Sequence, residues 1–350
     1  MPAESLVPNS FYRESVVQRH CFIIDAFAAE RFAGNPAAVV LDAQGLDDRD
    51  MQHIAAEFNL SETTFVLPPQ SPPADHDFVL SVRFRWFTPA VEVDMCGHAT
   101  IAGIHALLES GRIRHDDPAS STKVHIETKS GPLTGFVESV PGQPDRRMIW
   151  LEMIPPKLTP IDFDLSDVAV ALRISPDTFE SSLPPVRTQD RDIIAFVYNF
   201  MVLNAIRPDF ARLAELLTAR GARGLCLSTV HTLTPSVHVQ SRFFAPNFGI
   251  NEDPVTGSVT GPLAACLADR GLVPITEGIA GVTCVQGVPG GRTGLLYALV
   301  HIPERAPEPL SPTGGEGRVR GVQDSSLANR LCTVRIGGQA VTTIRGTLFV

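Results

Sequence analysis

One stretch of this chain occurs twice. Arg85-Trp86-Phe87-Thr88-Pro89 leads to Gly97-His98-Ala99-Thr100 and an Ala/Leu-rich segment. Arg242-Phe243-Phe244-Ala245-Pro246 leads to Gly257-Ser258-Val259-Thr260 and the segment Leu263 to Leu267. The step from arginine to glycine is 12 positions in the first copy and 15 in the second, so the second loop carries an insertion containing Asn251-Glu252-Asp253-Pro254. A repeated strand, proline, loop, glycine and helix implies two similar halves. The length of 350 residues accommodates two lobes of roughly 150 residues each.

Local patterns fill in the first half. Cys21 to Phe27, rich in β-branched and aromatic residues, predicts a buried strand. A turn at Gly34-Asn35-Pro36 and a second strand over Ala37 to Leu41 would complete a hairpin. Leu46 to Phe58 predicts a helix, with Asp47, Asp48 and Asp50 in its first turn and Met51, Ile54, Ala55 and Phe58 on one face. It stops at Asn59, which leaves Glu62 at a junction before the strand residues Phe65 to Leu67, where a side chain can enter a cleft. Val79 to Phe87 alternates as a half-buried strand and ends at Thr88-Pro89. Cys96 to Thr100 opens an apolar helix over Ile101 to Leu108, closed by Ser110-Gly111.

The polar, turn-forming run at residues 116–121 is the expected lobe boundary. The chain then divides into an N-terminal extension at 1–19, a first lobe at 20–118 and a second lobe at 119–342. Val124 to Thr128 and Met148 to Met153 predict strands of the second lobe, and the Pro/Gly-rich stretch Glu304 to Ser325 predicts a flexible surface loop.

Each copy of the repeat enters a buried helix through a glycine, leaving backbone N–H groups unpaired at the helix start, and such groups bind anions. Two of them facing each other would hold a carboxylate or an enolate-like oxyanion with no metal, pyridoxal or flavin. No cofactor is expected. Glu62 is the candidate base. Enclosure by Leu60 and Phe65 would raise its pKa towards ~6–7, and a positioned acid/base group contributes ~10²–10⁴ in rate. The same Glu62 could be only a capping residue, His98 could only satisfy loop carbonyls, Asp253 could be only a turn former and Cys96 only a buried thiol.

Composition narrows the partners. A formal charge of −9 and a pI near 5.6 give no basic face for nucleic acid or an anionic membrane, so a small molecule is the expected partner. The six cysteines are dispersed, with no CxxC and no Cys/His cluster at metal-ligand spacing. No metal is expected, and they read as reduced thiols of a cytoplasmic protein. The first 20 residues lack a signal-peptide core, and nowhere are there ~18 uninterrupted apolar residues.

Several motifs agree in order and spacing with a known family. These are Asp25-Ala26-Phe27 with Gly34-Asn35-Pro36-Ala37-Ala38-Val39, Asn59-Leu60-Ser61-Glu62-Thr63, Cys96-Gly97-His98-Ala99-Thr100, and Phe244-Ala245-Pro246 followed by Gly249 to Ser258. From about residue 20 to the C-terminus the chain resembles the PhzF-like family of the diaminopimelate epimerase superfamily; Val334-Arg335-Ile336-Gly337-Gly338 and the final strand also fit. The resemblance implies an α+β fold of two pseudo-symmetric lobes, each a β-sheet wrapped around a central helix, with the active site between them. It also implies a homodimer and a last strand, about 343–350, that returns to the first lobe. In functional terms it implies that Glu62 is the acid/base and that His98 and Asp253 help move protons or orient substrate. Gly97, Gly257 and Ser258 would bind the substrate's acidic group, and Asn35 would line the substrate wall.

The same comparison separates this chain from two-thiol epimerases. Cys96 occupies the position of the first thiol, but Thr256 stands at the second, and its hydroxyl is far too weak an acid for the role. Cys96 and Thr256 are left as substrate-site residues, and single-base isomerisation by Glu62 is the expected chemistry. Two alternatives stay open: elimination or cyclisation at the same site in secondary metabolism, and a binding or scaffold protein on an isomerase fold.

Overall fold

The structure is a computed structural model, and it describes residues 17–71, 73, 77–162, 164–287, 290–302 and 333–350. Most of the expected N-terminal extension, the stretch Glu304 to Ser325 and Cys332 lie outside the described residues.

The first lobe opens with β1 (Gln18–Ala26) and β2 (Asn35–Val40), the antiparallel hairpin expected from the sequence. Asn35 belongs to the strand rather than the turn, since Gly34 makes the turn at φ +61° and Asn35 already faces Ala26. The crossover helix α1 (Asp48–Phe58) starts late because Asp47 caps it, accepting from the Asp50 N–H while the Asp50 carboxylate accepts from the Asp47 N–H. Asn59 ends it in the left-handed conformation. Then follow β3 (Thr63–Leu67), parallel to β2, and β4 (Leu80–Phe87), antiparallel to β3. A short β5 (Glu92–Val93) precedes α2 (Gly97–Glu109), and β6 (Thr122–Glu127), β7 (Leu133–Val140) and β8 (Gln143–Met153) complete the series.

The second lobe contains β9 (Leu158–Pro160), α3 (Ser166–Leu172), β10 (Val186–Thr188), β11 (Ile193–Phe196), α4 (Phe200–Ala205), α5 (Phe210–Ala219) and β12 (Leu225–Thr229). It continues with β13 (Val239–Ala245), β14 (Ile250–Asp253), α6 (Gly257–Asp269), β15 (Ile275–Thr276), β16 (Ile279–Gly287), β17 (Thr293–His301) and β18 (Thr333–Gly338). Finally β19 (Ala340–Phe349) crosses back and pairs with β1, as the resemblance implies.

The repeat seen in the sequence extends through the whole topology. In the first lobe the pairings along β1, β2, β3, β4, β6, β7 and β8 are antiparallel, parallel, antiparallel, parallel, antiparallel and antiparallel. Along β10, β11, β12, β13, β16, β17 and β18 the same senses recur in the same order. The edge strands correspond too, since β19 flanks β1 as β9 flanks β10.

This pattern displaces the boundary expected at residue 118. β6 adds to β4 in parallel, and β7 and β8 continue the same sheet, so the first series runs through Met153. The reason is α2 itself. Its residues Ile101, Ala102, Ile104 and Leu107 are buried on all sides, and such a helix needs strands around its whole circumference. Gly135 of β7 shows the closeness of the fit: a Cβ there would come within 2.6 Å of the Ile104 Cδ1 atom. The polar run at 116–121 marks only where the chain passes through solvent.

Pairing of β8 with β18 joins the lobes, and one apolar cluster takes residues from both, including Ile104, Leu151, Leu263 and Ile336. Phe27 is wedged at the junction in a left-handed conformation, φ 58°, close behind Gly257, Gly338 and Gly294. A helix long and apolar enough to cross a membrane is absent among the described residues.

Candidate active site

The starts of α2 and α6 meet between the lobes. A Cβ on Gly97 would lie 3.8 Å from the Gly257 Cα. Cys96 and Thr256 occupy the two N-cap positions with extended backbones, and neither caps its helix with a side chain. The Thr100 hydroxyl donates to the Cys96 carbonyl at 2.6 Å, and the Thr260 hydroxyl donates to the Thr256 carbonyl at 3.0 Å. Amide groups in both first turns are thereby left for an anion.

Glu62 reaches this point because of strand alternation. Glu62 and Thr64 share one face of the chain, and the Thr64 hydroxyl donates to Ala99 O of α2 at 2.9 Å. Phe65 faces the other way and packs edge-on against Phe87 in the cluster beneath α1. The expected apolar enclosure of Glu62 by Phe65 therefore does not exist. In its place the Glu62 Oε2 lies 3.2 Å from His98 Nε2. Burial pushes the carboxyl up, but the His98 cation beside it, helped by the neighbouring Ser61 and Cys96 side chains, outweighs burial and holds Glu62 below the ordinary carboxylate range. The expected rise towards ~6–7 is replaced by a fall.

His98 has the complementary shift. Burial disfavours its cation, yet the negative charge of the Glu62 carboxylate, with a hydrogen bond to the Cys96 sulfur, holds it well above the ordinary imidazole value. The Cys96 Sγ lies 3.4 Å from His98 Nδ1 and the Ser61 Oγ 3.4 Å from Nε2. The Cys96 thiol is itself pushed up, by burial first and by the Glu62 charge second, so it stays protonated at neutral pH. The resting arrangement is an imidazolium between a carboxylate and a thiol.

Across the cleft, Asp253 is bound from both lobes. Asn35 Nδ2 donates to Asp253 Oδ1 at 2.8 Å and to the Val255 carbonyl at 2.9 Å, and the Thr256 hydroxyl donates to Asp253 Oδ2 at 2.6 Å. Both hydrogens of the Asn35 amide are thus committed. None remains for His98 Nδ1, 3.5 Å away, which agrees with a proton on that nitrogen. Burial raises the Asp253 pKa. Asn35 acts here through Asp253, as a positioning residue.

All the site residues expected from the sequence come together: Glu62, Cys96, Gly97 and His98 with Asn35 from the first lobe, and Asp253, Thr256, Gly257 and Ser258 from the second. Sequence reasoning missed Gln286, which accepts from Thr256 N at 3.0 Å and donates to Thr256 Oγ1 and Asp253 O at 2.9 Å each. Its only signal was a glutamine in a run of strand residues. It also missed Arg223, whose Nη2 donates to Ser258 Oγ at 3.0 Å. Nothing in the sequence around Arg223 marks it.

Comparison with known proteins shows the family. A model of the PhzC-PhzF family, described as phenazine biosynthesis-like protein, matches residues 24–346. The chain belongs to that family. It is 31% identical over 304 residues to an uncharacterized isomerase of Clostridium acetobutylicum, covering 83% of this chain and 93% of the relative. It is 31% identical over 277 residues to the trans-2,3-dihydro-3-hydroxyanthranilate isomerase of Pseudomonas aeruginosa, covering 79% and 88%. The crystal structure of a PhzF-family protein from Bacillus anthracis superimposes with a TM-score of 0.76 at 25% identity, covering 95% of this chain and all of that one. This PhzF-family isomerase therefore has the α+β, diaminopimelate-epimerase-like fold.

Donor atoms of Glu62, Cys96 and His98 all lie within 4.8 Å of one another, a set of oxygen, sulfur and nitrogen that could ligate a metal ion. In this PhzF-family site the sulfur and the imidazole both hold protons at rest, so an ion would have to displace both. The arrangement suits proton transfer better than ligation.

Proposed function

We propose that this chain is a single-base isomerase in which Glu62 takes a proton from one carbon of a small carboxylated or carbonyl-bearing substrate and returns it to another. The observation that carries the reading is the Glu62–His98 pair, 3.2 Å apart, beside two helix starts that meet between the lobes. Glu62 is held ionised, as a base must be before the reaction. The electron pair left by the proton moves into the conjugated carbonyl or carboxylate, and the developing oxyanion is stabilised by first-turn amides of α2 and α6. Protonated Glu62 then delivers the proton to the far end of the shifted double bond, with His98 and Asp253 maintaining charge balance around it.

Pseudo-symmetry supports one base rather than two. Thr256 stands opposite Cys96, and Gly224 occupies in the second lobe the place of Glu62. A side chain at 224 has no room, since a Cβ there would come within 2.4 Å of the Phe243 ring. The chemistry needs no cofactor. The dihydro-hydroxyanthranilate on which the Pseudomonas aeruginosa relative acts is a substrate of the right kind, an unsaturated ring acid. A cytoplasmic homodimer belongs to the same reading, and the five described cysteines are all free and buried.

The test is deuterium uptake from D₂O by a panel of cyclic and unsaturated carboxylic acids, followed by mass spectrometry for wild type and Glu62→Gln. Uptake confined to wild type supports the proposal. Equal uptake in both proteins removes Glu62 as the base.

A further inference from the structure

Gln286 ends a row that is otherwise apolar. On β16 the residues Ala280, Val282, Cys284 and Gln286 share the buried face, and Gln286 is 0% exposed. An amide enclosed in this way is costly unless its donors and its acceptor are all used. Its Oε1 accepts from Thr256 N at 3.0 Å, and its Nε2 donates to the Asp253 carbonyl and to Thr256 Oγ1 at 2.9 Å each. These partners fix the orientation of the amide. A backbone N–H can only donate and a carbonyl can only accept, so the reverse placement would set donor against donor and acceptor against acceptor.

The fixed amide decides where the Thr256 proton points. Thr256 Oγ1 already receives a hydrogen from Gln286, and its own hydrogen goes to Asp253 Oδ2, 2.6 Å away. Asn35 Nδ2 donates to Asp253 Oδ1 at 2.8 Å. Both carboxylate oxygens therefore accept, one of them at the end of a chain that starts at the backbone N–H of Thr256. Burial raises the Asp253 pKa, and the His98 cation and the Thr256 hydroxyl pull against that rise. Among the described residues the first lobe has no equivalent. β6 ends at Glu127 opposite Arg83, and the next residue, Thr128, turns its hydroxyl to the Gly131 carbonyl at 2.6 Å. Cys96, at the start of α2, faces His98 instead.

We propose that Gln286 is a positioning residue for the isomerase reaction: acting through the Thr256 hydroxyl, it holds Asp253 in one orientation with both carboxylate oxygens accepting. The proposal rests on the isomerase reading above and deepens it, because it names what keeps Asp253 in a single hydrogen-bonded state beside the proton-transfer pair. Gln286 acts only through Thr256 and Asp253, as the first side chain of a hydrogen-bond chain whose members polarise one another.

Carboxyl titration of the full chain by ¹³C NMR tests this without a substrate, using labelled aspartate and assigning the Asp253 signal from its loss in Asp253→Asn. The charged groups that face Asp253 are His98 and Glu62 from the first lobe and Arg223 from the second, and the variants leave all three in place. Gln286→Met keeps the length of the side chain and removes its hydrogen bonds. The Thr256 proton is then free to turn away, so the Asp253 midpoint is expected to move to higher pH, and the melting temperature to fall because Thr256 N is left unpaired. Thr256→Val removes the same proton and is expected to move the midpoint in the same direction, and the double variant should move it no further than Thr256→Val alone. In wild type the side-chain amide protons of Gln286, assigned by sequential backbone correlation, should titrate with the Asp253 midpoint; this measurement holds whether or not Gln286→Met folds. Deuterium uptake by the panel acid that wild type labels fastest should fall about tenfold or more in Gln286→Met.

A merely structural glutamine would lower the melting temperature and leave the titration in place. An unmoved Asp253 midpoint, additive shifts in the double variant, Gln286 amide signals indifferent to the titration, or uptake within about twofold of wild type in Gln286→Met would each overturn the proposal. Uptake that survives Glu62→Gln removes the single-base mechanism and leaves the Asp253 titrations standing, so the two failures are distinguishable.

Discussion

The imidazole Nε2 of His98 lies 3.2 Å from the Glu62 carboxylate, and the two side chains are only 8% and 14% exposed. Each fixes the charge of the other. Alone in that environment the carboxyl would be pushed towards neutrality and the imidazole likewise, whereas together they rest as an ion pair.

Stability should pass through a maximum in pH. The folded-state pKa of Glu62 is lowered from 4.5, so its contribution is present above that value and is lost as pH falls through the folded value. The folded-state pKa of His98 is raised well above 6.5, so its contribution is full below 6.5 and is lost as pH rises through the folded value. Melting temperatures from acid to alkaline buffer should show both limbs, and His98→Gln should flatten both.

His98→Gln should also shift catalysis in a definite direction. Without the cation, burial dominates and the Glu62 pKa rises, so the acid limb of the pH–rate profile moves to higher pH. A rate loss of roughly 10²-fold or more is expected at neutral pH. An acid limb that stays in place in the variant would show that His98 does not set the charge of Glu62.

Asn35→Ala removes the donor shared by Asp253 and the Val255 carbonyl across the lobes. An acceptor left unpaired costs ~1–3 kcal/mol, so unfolding by urea should show a loss of about that size. Turnover should fall as well, because Asp253 keeps only Thr256 as a side-chain donor. Asn35→Asp, which places two carboxylates together, should be worse than alanine.

Gly34→Ala should be among the more damaging single changes near the site. Its φ is +61°, and a Cβ would come within 2.1 Å of the Ala26 carbonyl oxygen, a backbone atom that cannot turn aside. Left-handed strain and overpacking together predict a loss of about 2–4 kcal/mol, with Asn35 displaced. Gly45→Ala is the control. It has φ +89° but open space apart from the Arg19 side chain at 3.9 Å, and it should cost only about 1 kcal/mol. Calorimetric melting of the two variants checks the contrast.

Much of the architecture was legible because it is local. The duplicated strand–proline–glycine–helix unit announced two lobes, and the acidic first turn with the apolar face of Met51, Ile54, Ala55 and Phe58 announced α1, since such patterns depend on residues a few positions apart. The motifs around Glu62, His98 and Asp253 named residues that do converge. The boundary at 118 was misread for a physical reason: a polar turn reports exposure of the chain, whereas lobe membership of β6 to β8 depends on which helix their side chains enclose.

The sequence by itself determined the fold class and the repeat and brought forward the candidate site residues, because these lie in contiguous patterns. Only the tertiary structure decided the charge of Glu62. That charge depends on which face of β3 the residue shares, and on His98 arriving from 36 positions away to outweigh burial. The same holds for Arg223, Asp192 and Ser258. They are far apart along the chain and meet through strand register and the start of α6, long-range geometry that no local window contains.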